Sequence, residues 1–299
     1  MKMNWDNLRV FLAVARQGSA MEAAVTLDLD QSTITRRLKQ LEQDIGTQLF
    51  DRSPQGHRLT AMGQRLLESV QRIEDTLALA DADIGGDSHA LHGHVRLGAT
   101  EGFGSYFLAP QLADFCERHP AISVDLLAVP RFVNLSKREA DLAISIERPR
   151  QGAYVACKLT DYRLALYATP AYLARHAPIR QLADLQQHRL IAYVDELAFS
   201  AELRYLAKLA PAAATPLRST SIVAQLHAAR RGHGLAVLPC FMASGCADLQ
   251  PVLAGQASIL RSFWLYAPKE QRDIARVNAL WKFLREVVGE SQGLLMGSL

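Results

Sequence analysis

The sequence predicts an α/β protein in three parts: a small helical head carrying a helix-turn-helix and a wing, a long connecting helix, and an α/β body. Three observations carry this. Between Ser19 and Phe50 two short helical patterns meet at a tight turn. From Leu66 to Ile84 an apolar seam runs unbroken in steps of three and four. Beyond His94 short apolar runs alternate with helical patterns, as in a layered sheet.

The chain has 299 residues, enough for two domains. Its net charge of +3 hides an uneven distribution. Residues 1–60 hold eight Lys/Arg against seven Asp/Glu, residues 61–89 two against six, and residues 90–299 twenty-three against seventeen. The head is therefore not broadly basic. Its cations cluster at Arg36, Arg37 and Lys39 and again at Arg52, His57 and Arg58, which implies modest non-specific affinity for DNA and reliance on dimerisation. No apolar run approaches a membrane span and the first residues lack the apolar block of a secretory signal, so the expected compartment is the cytoplasm, with no membrane partner.

In the head, Leu8, Phe11, Leu12 and Ala15 recur at helical spacing, so Asp6–Arg16 reads as an amphipathic helix that Gly18 ends. Ser19 and Glu22 form a capping box for the second helix, where small Ala23 and Ala24 permit close helix packing. Asp28-Leu29-Asp30 makes the turn, and Asp30 is placed to cap a third helix from Gln31. On that helix Ile34, Leu38, Leu41 and Ile45 share one arc, while the opposite face is hydrophilic. Such a face fits the major groove: Gln31, Ser32, Thr33, Thr35 and Arg36 lie where base edges are reached, Arg36 suited to guanine and Gln31 to adenine. Arg37 and Lys39 suit phosphates. Phe50-Asp51-Arg52 and His57-Arg58-Leu59 flank a turn at 53–56 and read as a wing, with Arg52 and Arg58 aimed at the backbone or minor groove.

Thr60 can cap the connecting helix, which runs to about Ile84. Leu66, Val70, Ile73, Leu77, Ala80 and Ile84 form a heptad seam that one isolated helix cannot keep dry, so it should pair with the same helix of a second chain. Gly85-Gly86-Asp87-Ser88 then breaks the helix.

The body's pattern predicts strands near 95–100, 122–127, 142–146, 155–159, 164–167, 190–193, 235–238 and 263–266, in a largely parallel sheet. Helices are expected to hold Leu108, Leu112 and Phe115 and to cover 170–175, 199–209, 221–231 and 271–288. Ligands of such folds sit beyond the carboxyl ends of strands at helix N-termini. Two turns meet that geometry, Thr100 to Ser105 and Ser219-Thr220-Ser221, and Ser145 can point into the same cleft.

No catalytic constellation is present: there is no dinucleotide fingerprint, phosphate loop or nucleophile elbow. The four cysteines make no zinc spacing, and His89, His92 and His94 lack a further ligand nearby, so no metal or cofactor is expected. Two other readings stay open: a peroxide-responsive pair at Cys240 and Cys246, and an enzyme or transport receptor built on the body.

The order of parts resembles the LysR-type transcriptional regulators over essentially the whole chain. The motifs that carry it in the head are Leu8-Arg9-Val10-Phe11-Leu12, Ala23-Ala24, Gln31 through Leu38, Leu41-Glu42, Gly46, Leu49-Phe50-Asp51-Arg52 and Leu59-Thr60-x-x-Gly63. Downstream they are Asp141 through Ile144, Ala168 through Leu173 and Gly234 through Pro239. The resemblance implies a winged helix-turn-helix over 1–60, a dimerising linker over 61–89, and a periplasmic-binding-protein-like effector domain over 90–299. That domain would have lobe I at 90–160 plus 267–299 and lobe II at 161–266, joined by two crossovers. It further implies a homodimer or homotetramer on double-stranded DNA, no enzymatic activity, and regulation of a neighbouring divergent gene and its own. By matching positions a small-molecule effector would lie near Thr100, Glu101, Phe103, Ser145 and Ser219 to Ser221. Thr35 stands where serine is commoner. Glu101 brings a carboxylate to the effector turn, which weakens the expectation of an anionic effector unless Arg131, Arg148 or Arg218 compensates, while the net +6 of residues 90–299 leans toward an anion, so the effector's charge stays open.

Overall fold

A computed structural model of the chain describes residues 4–53, 56–84, 91–135, 139–149 and 152–297, in two units that divide between Ala90 and Leu91. The first unit opens with helices α1 (Trp5–Gln17), α2 (Ala20–Leu27) and α3 (Gln31–Ile45). Asn4 caps α1, and Gly18 ends it in the left-handed conformation at φ 68°. The Ser19 hydroxyl then accepts from the Glu22 N–H, as its capping position predicts. Asp30 does occupy the N-cap position of α3, but its side chain accepts no capping hydrogen bond. Ile34, Leu38 and Leu41 are buried with Phe11 and Phe50 in one cluster, and Ile45 is half-buried at its margin.

Strands β1 (Phe50–Ser53) and β2 (Gly56–Leu59) pair antiparallel, Phe50 opposite Leu59 and Ser53 opposite Gly56. Two contacts position this wing. The Leu49 N–H donates to Glu42 Oε1 at 2.8 Å, and the His57 N–H donates to the Gly18 carbonyl at 2.9 Å. Helix α4 (Ala61–Ile84) follows, its first turn capped by Thr60, whose hydroxyl accepts from the Gly63 N–H. Gly63 has to be glycine: a Cβ there would lie 2.1 Å from the Leu49 carbonyl oxygen.

The seam of α4 is not uniform. Val70 is completely buried in the head's own cluster, with Leu66 packed against it, so Val70 is unavailable to a partner chain. Ile73 and Leu77 remain 42% exposed each. The reason is that α4 leans on α1 over its first half, where Arg16 and Glu74 also form an ion pair at 2.6 Å. The side chains of Ala80 and Ile84 lie outside the described residues.

The second unit begins with β3 (Gly93–Thr100), which runs straight into a helix made of α5 (Glu101–Phe103), a π turn (Gly104–Leu108) and α6 (Ala109–Arg118). Then come β4 (Ile122–Val129), β5 (Leu142–Ser145), β6 (Tyr154–Ala168), α7 (Pro170–Arg175) and β7 (Arg189–Ala192). Next are α8 (Leu206–Leu209), β8 (Ala214–Arg218), α9 (Ile222–Arg230), β9 (Leu235–Pro239), α10 (Cys240–Ala243) and β10 (Gln250–Val252). The unit closes with β11 (Ser258–Pro268), α11 (Lys269–Arg272), α12 (Ala275–Glu290) and α13 (Gln292–Met296).

The strand order is β4-β3-β5-β11-β6-β9-β7-β8, with β10 added to β6. The sheet is mixed rather than largely parallel. β3 pairs parallel with β4 and β5, and β7 pairs parallel with β8 and β9. The antiparallel pairs all involve β6 or β11, the two long strands that pass from one lobe to the other. β11 joins β5 through Trp264 to Tyr266, whereas β6 meets β9 through Leu164 to Tyr167. Between them the register slips at Phe263/Trp264, a bulge at the crossover. The runs read as separate strands at 155–159 and 164–167 are thus one strand of 15 residues.

The helix expected over 199–209 does not form. Ser200 caps only a short 3₁₀ turn (Ala201–Leu203), and four residues of α8 follow. β8 and β10 escape the apolar pattern for one reason: each is an edge segment containing a proline, and β8 is exposed throughout. Among the described residues no helix is long and apolar enough to cross a membrane.

Candidate DNA-reading face and effector cleft

On α3 the buried arc forces the other side outward. Gln31, Ser32, Thr35, Arg36 and Lys39 are exposed and Thr33 is half-buried. Arg36 and Lys39 have no intramolecular ion pair among the described residues, so their charges face solvent unneutralised. The Thr35 hydroxyl donates to the Gln31 carbonyl at 3.0 Å, which leaves its lone pairs outward. Arg37, expected to hold a phosphate, has a partner within the chain. It is half-buried and pairs with Asp6 at 3.5 Å, bracing α3 against α1. In the wing Arg58 is exposed opposite Asp51; the side chain of Arg52 lies outside the described residues. Glu42 carried no predicted role, yet its carboxylate accepts from both Leu49 and Phe50 and so sets the wing's position beside α3. A carboxylate that receives two backbone N–H groups gives no sign of this in sequence, because its partners are seven and eight residues away.

In the second unit a cleft lies between the lobes where β3 ends. Its enclosed space is about 40 Å³, room for water but less than a small molecule needs, so binding one requires the lobes to part. Thr100, Glu101, Phe103 and Thr220 line it. Glu101 Oε1 accepts from the Ser221 hydroxyl at 2.9 Å, and that same hydroxyl accepts from the Ala224 N–H and caps α9. Ser219 turns inward to the fold instead: its hydroxyl accepts from the Ser221 N–H, and its carbonyl accepts from Gln225. Phe103 forms the floor rather than an exposed contact. It is 1% exposed and stacks on Phe263 at 4.0 Å and Phe107 at 4.9 Å.

Ser145 is a correction. It is buried, donates to the Glu147 carbonyl, and does not line the cleft; its neighbour Ile146 does. Strand alternation explains this, since residues one apart point to opposite faces. The walls that sequence reasoning missed include five aromatic rings, Tyr162, Tyr193, Phe199, Phe241 and Phe263, beside aliphatic Leu164, Leu203 and Ile222. Phe263 stacks on Tyr162 at 4.1 Å. These residues are spread over a hundred positions and share no local motif. Burial raises the Tyr162 and Tyr193 phenols above their ordinary range, with the Glu101 charge adding to the effect at Tyr193, so both hydroxyls keep their protons.

The lobes meet closely beside the cleft. A Cβ on Gly102 would lie 2.7 Å from Met242 Sδ and 2.8 Å from Ile222 Cγ2. The Ser200 hydroxyl donates to Glu147, a second serine–glutamate contact between lobes. Phe132 meets Phe199 edge to face at 5.1 Å.

The cysteines and histidines of this unit are held in structural surroundings. Cys240 is buried, and burial raises the Cys246 thiol above its ordinary value while its Sγ donates to the Met242 carbonyl, the opposite of a reactive thiolate. His94 lies 3.0 Å from both Ser123 and Asp125, and His89 lies outside the described residues. Among the described residues no three His, Cys, Asp or Glu side chains are placed to hold a metal ion.

Family models match both parts of the chain. Residues 5–64 match the family described as bacterial regulatory helix-turn-helix protein, lysR family, and residues 88–289 match the LysR substrate binding domain. The chain is 29% identical over 271 residues to the Mau operon transcriptional activator of Paracoccus denitrificans, covering 91% of this chain and 92% of that protein. It is 32% identical over 191 residues to the HTH-type transcriptional regulator PtxR of Pseudomonas aeruginosa, a match spanning 64% of this chain and 61% of that protein. Among solved structures it is similar to CrgA, a LysR-type transcriptional regulator from Neisseria meningitidis, at 25% identity and a TM-score of 0.60 over 96% of this chain and all of that one. Full-length CbnR complexed with its target DNA shares the fold at 21% identity and a TM-score of 0.61, covering 97% of this chain and 100% of that one. The chain belongs to the LysR family of bacterial transcriptional regulators.

Proposed function

We propose that the chain is a sequence-specific transcriptional regulator acting on DNA in the cytoplasm, with α3 of each subunit in a major groove and a small molecule in the cleft setting its activity. The observation that carries this is the solvent-facing row of Gln31, Ser32, Arg36 and Lys39 on a helix whose other side is fully buried. Base edges would be read by Gln31, Ser32, Thr33, Thr35 and Arg36, and phosphates held by Lys39, Arg52 and Arg58. Arg37 serves as a brace.

Pairing through α4 of two chains supplies the second reading head. The open residues of its apolar seam are Ile73 and Leu77, with Leu66 and Val70 turned into the head. A dimer is the minimal assembly, and a tetramer would join two such pairs. An effector that favours one arrangement of the lobes shifts the balance between assemblies and the bend imposed on DNA.

Gel shifts with a randomised duplex pool test the reading. Arg36→Ala should relax discrimination at one base position, by roughly 1–3 kcal/mol against the correct base. Lys39→Ala should weaken binding to all sequences alike and lower the salt slope by about one. Wild-type protein that selects no sequence from the pool refutes the proposal.

A further inference from the structure

Among the described residues the cleft lining holds one charged group, Glu101, and no cation. Glu101 Oε1 is taken by Ser221, but Glu101 Oε2 is buried and has no hydrogen-bond partner among the described residues. A buried carboxylate oxygen without a donor is unfavourable, so its donor is expected from outside the chain. No Lys, Arg or His stands among the described residues that line the cleft. The three arginines that could have offset Glu101 are engaged elsewhere. Arg131 pairs with Glu139 at 2.7 Å, Arg218 lies 3.7 Å from Glu196, and Arg148 sits over the Trp264 ring. Arg261, whose charge acts on Tyr162, is itself paired with Glu202.

The surroundings of Oε2 favour a cation for a second reason. Tyr162, Tyr193 and Phe241 line the same space, and aromatic rings attract cations, although both faces of Phe263 are already covered by Phe103 and Tyr162. The phenols stay protonated, so they add no competing negative charge. A carboxylate effector would meet Glu101 in a site of low polarity and no counter-charge.

We infer that the effector is a cationic amine carried on an apolar or aromatic body, its N–H groups donating to Glu101 Oε2 while its body lies against the aromatic wall. This rests on the cleft being the effector site and specifies which chemistry that site accepts. A primary amine with two or three donors could satisfy Oε2 and also reach Thr100 or Thr220, both in the lining.

The test uses the full chain and three probes of similar body: 2-phenylethylamine, 2-phenylethanol and 3-phenylpropanoate. Melting temperature and calorimetric affinity are read for each. The expected result is stabilisation by the amine alone, with affinity lowered roughly tenfold or more in Glu101→Gln. Ser221→Ala keeps the carboxylate and frees its second oxygen, so amine affinity should hold or rise there. That variant keeps the inference falsifiable if Glu101→Gln folds poorly. Binding of the carboxylate as tightly as the amine, an amine affinity unmoved in Glu101→Gln or reduced in Ser221→Ala, or no response to the amine overturns the inference. A gel shift on the same preparations separates the two levels: retained sequence preference leaves the regulator standing, and its loss removes it.

Discussion

The contact between Ser221 and Glu101 makes a measurable claim about how the two lobes hold together. The Ser221 hydroxyl has two tasks, capping α9 and donating to a carboxylate across the cleft. Ser221→Ala removes both, costing about 1 kcal/mol for the cap and roughly 1.5–3 kcal/mol for a hydrogen bond to a charged acceptor. Glycine keeps most of the capping preference, so Ser221→Gly isolates the loss across the cleft. Pairing Ser221→Ala with Glu101→Ala, which leaves the hydroxyl no acceptor, in a double-mutant cycle should give a coupling energy of roughly 1–2 kcal/mol, since the two groups touch. Urea unfolding followed by tryptophan fluorescence is the assay, because Trp264 and Trp281 both report on this unit. A coupling below about 0.3 kcal/mol would mean that the two changes are independent, and the serine–carboxylate contact would have to be withdrawn as a link between lobes.

Other expectations follow from single features. Gly63→Ala places a Cβ against a backbone carbonyl that cannot rotate away, and should cost about 2 kcal/mol or more, read as a lower melting point of the head; unchanged melting would contradict it. Burial, reinforced by the charge of His176, lowers the pKa of His188. The unfolded chain therefore takes up a proton that the folded form refuses, so this contribution is complete above pH ~6.5 and is lost as pH falls below it. Melting between pH 8 and 5.5 should decline less steeply in His188→Gln, and parallel profiles would exclude the effect. Glu at both Ile73 and Leu77 should shift sedimentation toward the monomer without unfolding the head, whereas Val70→Glu should unfold it; an unchanged assembly state would exclude this face as the subunit contact.

What this sequence determined by itself is local. Helices α1 to α3 and the start of α4 follow from apolar spacing, from Gly18 in a left-handed turn and from Ser19 as a cap, each an interaction within one or two turns of chain. The outward row on α3 was legible for the same reason: burying Ile34, Leu38 and Leu41 leaves the opposite face no choice. The strand-to-helix turn at Thr100 and Glu101 was likewise visible. Tertiary structure alone decided the rest, because the relevant neighbours lie far away in the chain. Val70 belongs to the head because α4 leans on α1, though its heptad position matches that of exposed Leu77. Ser145 turned away from the cleft once β5 was locked between β3 and β11. β6 became one strand because β11 pairs along almost its whole length. The charge character of the cleft was settled last, by arginines drawn into pairs elsewhere and by rings brought together from four separate segments. Spacing can report what a residue's own helix or strand needs, but only packing sets which distant groups share its space.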